Sequence, residues 1–168
     1  MAMQHNPHSL DGGIDYTVVE VNEPAHPYSR RLLAYWRERL RADGPMLRSD
    51  FNPLDLPQLM GGMFVVEPVD GGSDMRYRLV GSENERRLGR KFTGELFSQR
   101  YSQEMAAEQI AFHNRIMQSE KPAFLQGNFL GLDLEHVRYE AAYFPVRVDE
   151  RDLQVIGGLY DMADGKAE

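Results

Sequence analysis

The strongest constraint on this chain is a change of hydrophobic period around one long helical segment. In SQEMAAEQIAFHNRIMQSEKP (102–122), Ala106, Ile110, His113 and Met117 recur at helical spacing. Met105, Phe112 and Ile116 widen that stripe, and Lys121-Pro122 closes the segment. Before it, MFVVEPV (63–69) and MRYRLVG (75–81) flank the tight turn DGGSD, the pattern of a β-hairpin. After it come three β-prone stretches, AFLQGNFL, VRYEAAYFPVRV and LQVIGGLYDM, separated by GLDLE and DERD. Two hairpin-rich blocks joined by a helical crossover predict an α+β fold, one antiparallel sheet with helices on one face.

The remainder attaches to that core. Residues 1–28 read as a flexible N-terminal arm; within it DYTVVEVN (15–22) is β-prone, either a short edge strand or an extended stretch. Residues 29–61 read as an N-terminal helical extension. Ser29 is placed as the N-cap of SRRLLAYWRERLRADG, where Leu33, Trp36 and Leu40 form the apolar stripe beside Leu32, and Gly44-Pro45 ends the helix. RSDFNPLDLPQLMGG then reads as a capped turn and a short helix, SENERRLG as another short helix, and KFTGELF as a loop or single turn. The core spans 62–161, with a tail at 162–168.

Bulk properties exclude several classes of function. A chain of 168 residues is large enough for one well-buried domain. Its formal charge of −7 lacks the basic footprint of a general nucleic-acid binder. It contains no cysteine, which rules out disulfides, thiolate metal sites and cysteine nucleophiles. No apolar run approaches the ~20 residues that span a bilayer, and the start, MAMQHNPHSLDGG, is not a signal peptide. A cytoplasmic protein with neither a membrane nor a nucleic-acid partner is expected.

Most chemical constellations fail on spacing. Gly81, Gly89 and Gly94 are too far apart for a phosphate loop, and no Lys-Ser/Thr pair follows them. His136 and Glu140 have helical metal spacing but fall in a predicted strand, where four residues span ~13 Å. His5 and His8 sit in the arm, Asp133 and Glu135 in a turn, and Ser73 lacks the second glycine of a nucleophile elbow. No catalytic set emerges, and no metal site.

Two features point inward instead. His113 lies mid-stripe, so its imidazole needs a core neighbour, a ligand or a metal. Period-2 alternation puts Tyr77 and Leu79 on one strand face, opposite Arg76, Arg78 and Val80, and puts Tyr139, Ala141 and Tyr143 together on another. Tyrosines with a small residue between them either leave an apolar cavity with hydroxyl handles or pack as an ordinary sheet face. Tyr77, Leu79, His113, Met117, Tyr139 and Tyr143 are the cavity candidates. Arg78 is matched with a ligand carboxylate or an acidic residue such as Glu140.

Several motifs together resemble the PAS domain superfamily, in a compact and often single-domain bacterial branch found mostly in alphaproteobacteria. They are Tyr35-Trp36, Arg48-Ser49-Asp50 with Pro53, Arg76 to Gly81, Gly89-Arg90 with Gly94, Pro145 and Gly157, over roughly residues 29 to 161. The resemblance implies a five-stranded antiparallel sheet and a long helix around a sensory cavity. It implies a stand-alone signalling module, not an enzyme, that binds a small ligand and acts through a signalling protein partner. It also implies a homodimer, with Leu33, Trp36 and Leu40 as partner contacts. Two alternatives accompany it, a ligand-free interaction module and a small enzyme of the ketosteroid-isomerase type, which needs a buried carboxylate base. The cofactor is unknown. A cysteine-adduct flavin is excluded by composition, while haem has a possible axial ligand in His113 but none of its other pocket signatures.

Overall fold

The structure, a computed structural model, describes residues 8–10, 14–130 and 137–163. His5, Asp133, Glu135 and His136 lie outside the described residues. The elements in chain order are β1 (His8–Leu10), β2 (Ile14–Val21), α1 (Pro27–Glu38), β3 (Met63–Val69), β4 (Asp74–Val80), α2 (Ser82–Leu88), α3 (Phe97–Arg100), α4 (Gln103–Ser119), β5 (Ala123–Leu130), β6 (Arg138–Arg147) and β7 (Leu153–Asp161). Three single 3₁₀ turns, Arg48–Asp50, Pro53–Asp55 and Met60–Gly62, replace the short helix expected before β3.

All strand pairs are antiparallel, in the order β1-β2-β5-β6-β7-β3-β4. The five strands that the sequence pattern predicts therefore form one continuous sheet. Two more extend its β5 edge. The span read as an arm includes β2, which pairs with β5 from Asp15↔Leu130 to Val21↔Phe124 and is lined on its other side by β1. Local pattern favours a strand there but contains nothing about its partner.

Side-chain alternation divides the core between two faces. On one, α4 buries Phe112, Ile116 and Met117 against Phe64, Val66, Leu125 and Val155. Its Ser102 cap accepts the Met105 N–H at 3.2 Å, and Glu120 ends it in a left-handed conformation. On the other face, α1 packs Leu32, Leu33 and Trp36 against Phe144, Val146 and Ile156. Each such buried apolar side chain contributes about 1.5–3 kcal/mol. The core helices thus share one face, and the N-terminal extension covers the reverse.

α1 starts earlier than expected. His26, not Ser29, is the N-cap: its Nδ1 accepts the Tyr28 N–H at 3.0 Å, and Pro27 supplies the preset first helical position. Ser29 is fully buried inside the helix, which ends at Glu38 well before Gly44. The chain leading into α1 is tied to the sheet by Glu140, whose two carboxylate oxygens accept the N–H groups of Ala25 and His26, each at 2.8 Å. Trp36 Nε1 donates to Pro145 O at 2.8 Å. Pro145 sits in β6 beyond the last β5 pair, Ala123↔Tyr143, so its missing N–H breaks no ladder there.

Leu33 and Trp36 are 5% and 6% exposed, both spent on the chain's own core. A partner contact through these two side chains is therefore corrected; of the three named, Leu40 alone faces outward. Among the described residues no helix is long and apolar enough to cross a membrane.

Candidate functional site

The register of the sheet builds the floor of a cavity beneath α4. One row across it is Val18–Gly127–Tyr139, the next Leu125–Ala141–Leu159, and a third joins Tyr143, Gly157, Phe64 and Val80. Small residues interrupt each row. The resulting space measures about 130 Å³, close to the ~150 Å³ of an engineered apolar cavity that accepts benzene. α4 roofs it with Gln109 and His113, and the segment from α2 to Tyr101 closes the side with Leu88, Phe92 and Arg100.

Of the residues named from sequence, Tyr77, His113, Tyr139 and Tyr143 all line this space. Leu79 does not, because β4 carries a β-bulge. Val65 pairs with Leu79 but Val66 pairs with Tyr77, so Arg78 is the extra residue. A bulge resets the alternation. Tyr77 and Val80 then reach the cavity while Leu79 points away, 46% exposed. Met117 is buried in the core next to the cavity and is not part of its wall. Arg78 pairs with Glu67 at 3.3 Å, and not with Glu140 on another strand.

The aromatic wall is cross-braced. His113 meets Phe97, Phe112 and Tyr143 edge-on, with ring centres 5.1, 5.6 and 5.5 Å away. The Tyr77 and Tyr101 hydroxyls hydrogen-bond each other. Burial raises the pKa of Tyr77, Tyr101 and Tyr143, keeping all three as neutral phenols. Burial lowers that of His113 to about 4, against the opposing hydrogen bond to Gln109.

That hydrogen bond fixes the His113 tautomer. Nδ1 lies 2.8 Å from the Gln109 carbonyl, which can only accept, so Nδ1 carries the proton. Nε2 is left with a bare lone pair, buried and with no hydrogen-bond partner. The haem alternative does not fit. The space is well under the ~300–1,000 Å³ of drug-sized pockets, and the rings packed edge-on against the imidazole leave no slot for a macrocycle.

Sequence reasoning missed Val18, Asn84, Arg100 and Tyr101. Asn84 is 2% exposed and donates from Nδ2 to Gly62 O at 2.8 Å. The guanidinium of Arg100, 1% exposed, lies 5.4 Å from the Phe92 ring centre and 5.7 Å from that of Tyr101. Asn84, Arg100 and Tyr101 sit in segments whose local pattern is polar or turn-like, and Val18 sits in a β-prone stretch whose partner strand its own pattern does not name. The carboxylate base of the isomerase alternative is not in this wall. Glu140, the buried carboxylate among the described residues, is on the α1 side, held by the Ala25 and His26 amides and by Gln126 Nε2 at 2.8 Å.

A comparison with curated proteins finds no match. The family profile described as PAS domain matches residues 24–160, a span that takes in α1, the five core strands except the last residue of β7, and every cavity residue named from sequence. The chain belongs to the PAS domain family.

Proposed function

We propose that this PAS domain is a sensor that holds a small molecule between α4 and the sheet and passes the occupied state to a partner protein. As a PAS domain it is a sensory or signalling type of module. The observation that carries the finer reading is the cavity of about 130 Å³, walled by aromatic rings and a buried histidine where tight core packing is the rule. A well-formed apolar space with a few convergent polar groups is the default place for a ligand. The wall includes residues from β2, α2 and α4, so occupancy bears on three separate parts of the chain at once.

Native mass spectrometry of freshly purified protein tests this directly. An extra mass of small-molecule size is expected on the wild type. It is expected to disappear in Ala141→Phe, whose ring takes up the middle row of the floor, in samples whose circular dichroism matches the wild type. A clean apo mass that persists through broad ligand screening supports a ligand-free interaction module and overturns the proposal.

A further inference from the structure

Resting on that reading of the cavity, we infer that its ligand is a small monocarboxylate with an apolar body, benzoate being a simple example, and that Arg100 and the tyrosine hydroxyls hold its head group. Among the described residues that line the space, Arg100 carries the one permanent positive charge and no side chain is a carboxylate. Arg100 is 1% exposed, so water does little to screen that charge. A guanidinium presents five N–H donors in a planar fork that matches a carboxylate, more than a single neighbour uses.

The hydroxyls converge on the same part of the wall. The Arg100 guanidinium lies 5.7 Å from the Tyr101 ring centre, and the Tyr101 hydroxyl is hydrogen-bonded to that of Tyr77. Burial raises the pKa of both phenols and the Arg100 charge pulls both back, in agreement with a guanidinium close to the pair. The bond between the two hydroxyls uses one of their two protons and leaves the other to donate. Tyr143 adds a third hydroxyl. It has no hydrogen-bond partner among the described residues, and unlike His113 Nε2 it is not sealed from the space it lines. Burial and then Tyr101 raise its pKa, so it too is a neutral donor. These groups have protons to give and no negative charge among them. A carboxylate, with two accepting oxygens, answers both features, whereas a cationic head group meets no opposite charge in the wall. Phe64, Val80, Leu125 and Leu159 leave apolar surface for the rest of the ligand.

Calorimetric titration of the full chain with benzoate, benzamide and toluene at neutral pH tests this. The three share one ring and differ in the head group: an anion, a neutral amide and a methyl. Benzoate is expected to bind at least about tenfold tighter than either of the others, the step that one charge-assisted hydrogen bond provides. Arg100→Gln should close the gap between benzoate and benzamide; a gap that persists in the folded variant overturns the inference. Should that variant not fold, Tyr143→Phe, which removes one oxygen and adds no volume, decides. A benzoate preference narrowed by about threefold or more supports the inference, and an unchanged one overturns it. Benzamide or toluene matching benzoate overturns the carboxylate inference while the cavity reading stands. Binding by none of the three also overturns it, and the native mass then judges the cavity reading alone: an extra mass keeps it, a clean apo mass ends it.

Discussion

Burial keeps the His113 imidazole neutral down to a pKa of about 4, and this couples folding to pH. In the unfolded chain the ring protonates near pH 6.5. Between those values the unfolded state binds more protons, so this group's contribution is full above pH 6.5 and is lost as pH falls to about 4. The difference is roughly 3 kcal/mol. Urea midpoints measured from pH 7 to pH 4 should therefore fall more steeply for the wild type than for His113→Phe; parallel curves rule out a neutral buried ring. The helical stripe alone marks His113 as interior. Its tautomer and its unpartnered nitrogen depend on Gln109 one turn back and on rings from α3 and β6.

α1 shows how one element's pattern can be read correctly and its partner wrongly. The spacing of Leu33, Trp36 and Leu40 announces an apolar stripe; Leu33 and Trp36 are buried as it requires, while Leu40 lies past the helix end and is exposed. A second copy and the chain's own sheet offer the same kind of surface. Pro145 decides the matter, because its carbonyl accepts the indole N–H on the reverse face of the sheet. Trp36→Ala should cost about 3–5 kcal/mol in chemical denaturation, and Leu40→Ala less than about 0.5 kcal/mol. A mild Trp36→Ala would mean that α1 is held mainly by its Glu140 anchor. β4 gives the opposite lesson: its composition predicts the strand correctly, yet a single extra residue at Arg78 turns Leu79 outward and brings Val80 in. Bulges reflect the pairing of two strands, and one strand's sequence does not announce them.

Across the molecule, the close approach of Phe64 to Gly157 connects packing to the cavity. A β-carbon at Gly157 would lie 2.2 Å from Phe64 Cζ and 2.7 Å from the Ala142 carbonyl, so ring and backbone cannot both stay in place. Gly157→Ala should destabilise by about 1–3 kcal/mol and disturb the cavity together with it, since Phe64 is part of the wall; thermal unfolding reads the first effect. Unchanged stability would show slack where the geometry has none. Turn residues and the two hydrophobic periods are local properties, and they suffice for the long helix and the five core strands, though not for β1, α3 or the cap of α1. The joining of β2 to β5, the assignment of α1 and α4 to opposite faces and the meeting of Val18, Arg100 and Tyr101 around His113 are settled only when strands distant in the chain pair. Register is a relation between segments, and each segment's own pattern is compatible with several.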